Sequence, residues 1–383
     1  MATMDATEHR PPPRDVPRSD PDAPRSFFAG RRVLVTGHTG FKGAWLSSWL
    51  GRLGARVTGL SLPAEDDASR ALFQAPVGVS LAGDIRDFAF VAASFAAHAP
   101  EIVFHLAAQS LVGRSGEDPL GTVAVNVLGT AHVLEAARQT PSVRAFVNVT
   151  SDKCYANVDD GRPFREGDPL GGRDPYSAGK ACAEILTAAW RESLVRDHRP
   201  AFATARAGNV IGGGDWAERR LVPDIARALE SGADIRLRQP WATRPWQHVL
   251  DPLRGYLMLA RALCEAPRDF AAPWNFGPAP GCAVPVRDLA ARVVARWGRG
   301  RVIEAPESGP VPEAERLALD ATKAAAKLGW RSRYALDAAV ALTVEWYARV
   351  RDGGEDGAVV AMAQIDADEA ATAAGPADAE AGR

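Results

Sequence analysis

From Arg31 onward, short apolar runs alternate with longer amphipathic stretches. Arg32-Val33-Leu34-Val35-Thr36 reads as a fully buried strand, and Gly40 to Leu53 as a helix ended by Gly54. Strands are predicted at Val57–Leu62, Val79–Ala82 and Ile102–Ala107, followed by a helix from about Leu120 to Arg138. Ala145–Thr150 and Phe202–Ala205 read as further strands, with a helix from Ser177 to Val195 between them. Strands alternating with helices predict an α/β fold with a doubly wound parallel sheet of the Rossmann type. Beyond Gly208 the rhythm loosens into Gly- and Pro-rich loops and separated helices, which predicts a smaller α/β substrate lobe. The expected domains are a dinucleotide-binding domain over 27–207 and a lobe over 208–352, with part of 239–262 returning to the first domain.

Composition changes this picture mainly at the ends. Residues 1–26 are rich in Pro, Asp and Arg, and residues 353–383 in Gly, Ala, Asp and Glu. Neither stretch offers enough apolar surface to offset the entropy of ordering, so both are expected to be disordered tails. The N-terminus lacks the apolar segment of a signal peptide, and no apolar run reads as long enough to span a bilayer. Lys and Arg number 45 against 47 acidic residues, without a basic cluster, which argues against nucleic acid or membrane as a partner. The four cysteines are widely spaced, which suggests reduced thiols in a cytoplasmic protein and no metal site.

Candidate chemistry sits where the pattern predicts the carboxyl edge of the sheet. Gly37-His38-Thr39-Gly40-Phe41-Lys42-Gly43 follows the first strand and runs straight into a helix. Glycines three apart let the backbone turn tightly and approach a pyrophosphate, while the helix N-terminus offers free N–H groups. Asp84-Ile85 after the third strand is placed to meet an adenine, and Ala107-Ala108 after the fourth are small enough for a cofactor to pass. The second strand ends in Leu60-Ser61-Leu62 without a carboxylate for a ribose, and Lys42 could meet a 2′-phosphate, so the residues alone leave NAD and NADP open. Tyr176 and Lys180 lie four apart on one helix face, where the ammonium would favour the phenolate of a tyrosine base. The strand ending at Thr150 delivers Ser151, Asp152 and Lys153 to the same edge; Ser151 could bond the hydroxyl being oxidised.

These residues carry a family resemblance. The glycine loop, His105–Gln109 and Tyr176-x-x-x-Lys180 resemble extended short-chain dehydrogenases acting on nucleotide sugars. GHTGFKG (Gly37 to Gly43), NVTSDKCY (Asn148 to Tyr155), RAGNVIGGGDW (Arg206 to Trp216) and RPWQHV (Arg244 to Val249) are similar to CDP-glucose 4,6-dehydratases. The resemblance implies NAD as cofactor, held by Gly37, Thr39, Gly40, Phe41, Lys42, Gly43, Asp84, Ile85, Leu106, Ala107, Ala108, Asn126, Tyr176 and Lys180. It further implies a cycle in which hydride leaves C4 of the sugar with help from Tyr176, Asp152 protonates the departing C6 hydroxyl, and hydride returns to C6. Lys153 stands where thymidine-linked relatives carry a glutamate base. Gln109, Asn209, Arg220 and Arg244 are implied on the substrate side, and a homodimer is implied through the Leu120–Arg138 and Ser177–Val195 helices.

The chain departs from that family pattern at Ser110, Gly113 and Gly116, and again at Pro312, Glu315 and Arg316, which leaves the nucleotide and sugar open. A nucleotide-sugar 4-epimerase is the nearest alternative, but it needs no acid for a leaving hydroxyl. A non-catalytic dinucleotide-binding regulator is the other, and the full Ser151, Asp152, Tyr176 and Lys180 set speaks against it.

Overall fold

The computed structural model describes residues 23–63, 73–197, 199–306 and 317–373. Its main sheet has seven parallel strands in the order β10-β6-β5-β4-β1-β2-β3. These are β1 Arg32–Thr36, β2 Arg56–Ser61, β3 Val79–Ala82, β4 Ile102–His105, β5 Ala145–Val149, β6 Ala201–Ala207 and β10 Pro273–Phe276. β4, β5 and β6 are buried along their whole length. Helices on both faces exclude water, so these strands read as continuous apolar runs rather than as alternating ones. The order reverses between β1 and β4, and doubly wound sheets open their ligand crevice at such a switch point.

After α1 (Ala23–Phe28) and β1 comes α2 (Phe41–Arg52), which buries Trp45, Leu46, Trp49 and Leu50. α3 (Phe88–His98) follows β3, and Asp87 caps it by accepting from Phe90 N. α4 (Pro119–Gln139) is helical throughout, with a π-helical turn at Ala124–Gly129. Contrary to the sequence expectation, α4 has the length and apolar content of a membrane span. It packs against α3 and α5 (Pro175–Ala189), and its polar residues Asn126 and Thr130 are buried.

The second lobe is built from shorter pieces. β7 (Asn209–Ile211), β9 (Thr243–His248) and β11 (Ala283–Pro285) form one small sheet, while β8 (Ile235–Leu237) pairs with β12 (Val302–Glu304). α6 (Leu221–Ser231), α8 (Val286–Trp297) and α9 (Leu336–Tyr347) pack around them. Two segments after 208 lie with the first domain, one of them overlapping the 239–262 stretch expected to return there. α7 (Leu250–Glu265) packs on β5 and β6, and β10 joins the main sheet beside β6, so Trp274 and Phe276 are core residues of the first domain. A four-residue strand between Ala- and Pro-rich turns carried too little pattern to be recognised.

The C-terminal expectation is corrected more sharply. Gly357–Ala373 forms a helix, α10, that lies against α2 and α9. Its apolar contribution is small: Val360, Ala361 and Ile365 are buried. Charge does the rest. Asp368, 1% exposed, accepts from Arg254 Nη1 (2.9 Å), Arg333 Nη1 (2.9 Å) and the Tyr334 hydroxyl (2.8 Å). Asp366 pairs with Arg52 at 2.6 Å, and Glu369 accepts from Trp49 Nε1 at 2.9 Å. Acidic residues that composition assigns to solvent are here the docking groups. At the other end helix α1 begins at Ala23, inside the expected tail, while residues 1–22 lie outside the described residues.

Candidate active site

The loop from Gly37 to Gly43 fits a dinucleotide pyrophosphate. Gly37 has φ +75°, and a Cβ there would stand 2.8 Å from Ala107 N, so the loops after β1 and β4 touch through glycine. A Cβ on Gly43 would collide with the Gly37 carbonyl. Gly40 caps α2 without a side chain, which leaves the first N–H groups of the helix for an anion. Thr36 ties the two loops together. Its Oγ1 accepts from Leu106 N and Ala107 N, both at 3.2 Å, and bonds His105 Nδ1 at 2.7 Å. These groups would hold the pyrophosphate of NAD, with Leu106, Ala107 and Ala108 along its path.

At the end of β2 the sequence reading passed over His38. Its ring fills the space that a side chain at Gly59 would occupy, and it bonds Ser61 Oγ (2.9 Å) and Ser80 Oγ (2.8 Å). Ser61 Oγ also accepts from Thr39 N at 3.3 Å, so the end of β2, which carries no carboxylate, is tied to the glycine loop by a histidine–serine cluster. The signal was the His inside a glycine loop beside a strand that ends in serine. The Asp84 carboxylate takes Arg86 Nε at 2.8 Å and Nη2 at 2.5 Å, and this hydrogen-bonded ion pair holds it below the usual range. Ile85 points into the core against Gly129.

Two further expected residues work on the loop itself. Asn126 brackets the Gln109 backbone, accepting from its N–H and donating to its carbonyl, both at 2.9 Å. The Gln109 amide donates to Leu111 O (3.0 Å) and Thr122 Oγ1 (2.9 Å) and accepts from Leu111 N (2.6 Å). Gln109, implied on the substrate side by the resemblance, thus ties its amide into the loop after β4.

Ser151, Asp152, Lys153, Tyr176 and Lys180 are brought together. Ser151 caps the single helical turn Asp152–Cys154: its Oγ accepts from Lys153 N at 3.2 Å and donates to Asp152 Oδ1 at 2.9 Å. Asp174 caps α5, accepting from Ser177 N at 2.9 Å, and Pro175 in the first turn sets the helix start. Tyr176, in that turn, lies close enough to Ser151 for the serine to pull its phenol down. Lys180, one turn on, donates to Val149 O at 3.2 Å.

Burial governs the protonation of this group. It pushes the Asp152 carboxyl up, against Lys153, the Ser151 hydrogen bond, Lys42 and Arg244. Asp152 Oδ2 is buried and has no hydrogen-bond partner among the described residues. It faces the backbone of Gly208 and the ring of Pro245, where a methyl on Gly208 would sit 3.1 Å away. Desolvation pushes Tyr176 up to about 12, with Ser151 and Arg220 pulling the other way. It pulls Lys180 down to about 8 against Glu184, and Lys42 down to about 8 together with Arg220 and Lys180. Lys42 thus faces the reaction centre as well as the cofactor loop.

The substrate side joins the two domains. Arg220 donates to both Asp215 oxygens (3.2 and 3.0 Å) and to Ser110 Oγ (2.9 Å), so the departure at Ser110 has a structural partner. Gly113, another departure, lies beside the Arg219 guanidinium. Arg244 is buried on β9, its Nη1 donates to Thr243 O at 3.0 Å, and Asn209 pairs in register with Trp246. Beside them a cavity of about 320 Å³ is lined by Asn157, Arg162, Phe164, Thr243 and Leu317. The departures at Pro312, Glu315 and Arg316 lie outside the described residues.

Comparison with known proteins gives this geometry a context. Residues 33–271 match the model of the NAD dependent epimerase/dehydratase family. A CDP-glucose 4,6-dehydratase of Salmonella typhimurium is 43% identical over 351 residues, covering 89% of this chain and 97% of that protein. The UDP-glucose 4-epimerase of Thermus thermophilus, solved in complex with NAD, is 28% identical with a TM-score of 0.71, over 82% of this chain and 98% of that one. The epimerase Mth375 of Methanothermobacter thermautotrophicus shares the fold at a TM-score of 0.77 and 24% identity, over 87% and 96% of the two chains.

Proposed function

This chain belongs to the NAD dependent epimerase/dehydratase family, and we propose that within it the chain is a 4,6-dehydratase converting CDP-glucose to CDP-4-keto-6-deoxyglucose. The observation that carries the reading is Asp152: a buried carboxyl whose Oδ1 accepts from Ser151, whose Oδ2 is unpaired among the described residues and whose pKa is raised, in the group with Tyr176. A carboxyl that keeps its proton can donate it to a leaving hydroxyl, a step that a 4-epimerase does not contain.

The chemistry that bound NAD supplies is reversible storage of one hydride. The residues supply the proton movements around it. Tyr176, tuned by Ser151, takes the proton of the C4 hydroxyl, and Lys180 lies one helical turn away to hold the cofactor ribose. The 4-ketone acidifies the C5 proton, Lys153 stands beside the acid to take it or to stabilise the enolate, and Asp152 protonates the C6 hydroxyl as water leaves. Arg220, clamped by Asp215 and Ser110, and buried Arg244 supply positive charge for the substrate diphosphate. We also infer a homodimer through α4 and α5, supported by Leu120 (82% exposed), Leu128 and Ile185 lying bare along these helices.

The test is a panel of nucleotide-glucose donors with mass spectrometry of the products. CDP-glucose should lose one water without net cofactor reduction. Epimerised sugar of unchanged mass would assign the chain to the epimerases, and dehydration of another donor only would change the nucleotide.

A further inference from the structure

Behind the reaction centre lies a buried ionic cluster that the reading above does not use. Glu184 follows Lys180 by one helical turn on α5 and is 3% exposed. Its Oε1 accepts from the hydroxyl of Thr150, the residue before Ser151. Its Oε2 accepts from Thr204 Oγ1 at 2.6 Å and Arg206 Nη2 at 2.7 Å, both on β6. Arg206 continues the chain, donating to the Tyr155 hydroxyl at 2.7 Å and the Glu166 carbonyl at 3.1 Å. Tyr155 in turn donates to Asn275 Oδ1 on β10 at 2.8 Å. One carboxylate therefore joins the helix bearing Tyr176 and Lys180 to the strand end bearing Ser151 and Asp152.

We propose that Glu184 is a positioning residue of this site, pinning the Tyr176–Lys180 helix against the Ser151–Asp152 turn and serving as counter-charge to Lys180. The proposal rests on the redox reading of Tyr176 and Lys180 given above. The signal in the sequence is the i,i+4 spacing from Lys180, which puts both on one helix face. A buried carboxylate is retained only where its hydrogen bonds and charge are met, and Thr150, Thr204 and Arg206 meet them here. The groups that interact electrostatically with the Lys180 ammonium are Glu184 on its own helix, Cys154 in the turn after β5, His105 on β4 and Lys42 on α2. Glu184 and then Cys154 oppose the fall that burial imposes on Lys180; burial keeps the Cys154 thiol protonated, which leaves Glu184 as the carboxylate counter-charge.

Glu184→Gln keeps the shape and removes the charge; its single amide oxygen can accept from Thr204 and Arg206, while its NH2 donates to the Thr150 hydroxyl in place of the bond it received. Lys180, already near 8, then falls further, so its ammonium is lost at lower pH. The alkaline limb of the sugar-oxidation rate should move down by about one pH unit, a tenfold change in protonation ratio. Thr204→Val removes one hydrogen bond and leaves the charge; it should lower the rate modestly with the limb in place. The pH dependence of NAD binding, followed without any sugar, should show the same displacement in Glu184→Gln. Failure of CDP-glucose to turn over would therefore count against the substrate and leave this test standing. Should Glu184→Gln not fold, the double change Glu184→Gln/Arg206→Gln leaves no unpaired buried charge and is read in the same way. An alkaline limb that stays put, with a rate loss matched by Thr204→Val, would overturn the proposal and leave Glu184 a plain packing residue.

Discussion

The first domain and the C-terminal part of this molecule obey different rules. Between Arg32 and Ala207 most elements announce themselves, the helices Phe88–His98 and Val112–Glu117 excepted, because strands buried on both faces need continuous apolar runs and the helices between them need one apolar stripe. From Gly208 onward, strands of three to six residues are held by their neighbours, and the final helix docks through Asp366, Asp368 and Glu369. In the first region most carboxylates read as surface or site chemistry, with buried Glu184 the exception. In the second a carboxylate can be structure.

The comparison predicts unequal costs for removing charge. Ending the chain at Gly354 takes away α10, and Arg254 and Arg333 lose Asp368. Breaking a buried pair costs about 3–5 kcal/mol, a large share of the ~5–15 kcal/mol by which a typical domain is stable. The melting temperature should fall by roughly 10 °C or more. A truncated protein melting within a degree of the full chain would show that α10 is an appendage.

Tyr176→Phe tests the first region where chemistry rather than stability is at stake. Loss of general-base help should lower the oxidation rate by ~10²–10⁴, with the melting temperature and NAD affinity nearly unchanged. Unchanged turnover would remove the Tyr176–Lys180 helix from the reaction.

The smallest effect belongs to a surface carboxylate of the first region. Arg138, with Gln139 and Trp190, holds Glu135 at about 2 against its ordinary value of 4.5. A depressed carboxyl stabilises the fold above its unfolded pKa and loses that contribution as pH falls through the folded one. Glu135→Gln should therefore flatten the stability curve between about pH 4.5 and pH 2 and cost below about 1 kcal/mol at neutral pH. A loss as large as that of the truncation would erase the contrast between the regions.

Legibility follows the same divide. The glycine loop, Ser151–Lys153 and Tyr176–Lys180 could be read because each pairs a residue type with a strand end or a helix start. Gln109, Asn126 and Asp84 were visible as positions, but their hydrogen-bond partners at Leu111, at the Gln109 backbone and at Arg86 depend on loop geometry that no periodicity encodes. His38 and Glu184 went unread for a related reason. Their partners at Ser61, Ser80, Thr150 and Arg206 come from other strands of the sheet, or from the loop that follows one, and only the fold brings them within reach.

Asp152→Asn, mixed rapidly with CDP-glucose and followed by cofactor absorbance and product mass, tests the central claim most directly. Asparagine keeps the shape at Asp152 and cannot give a proton to the C6 oxygen. Oxidation at C4 should survive, so reduced cofactor should accumulate while loss of water slows by ~10²–10⁴. A mutant that forms the 4-keto-6-deoxy product at the wild-type rate would contradict the assignment of Asp152 as the acid of the elimination.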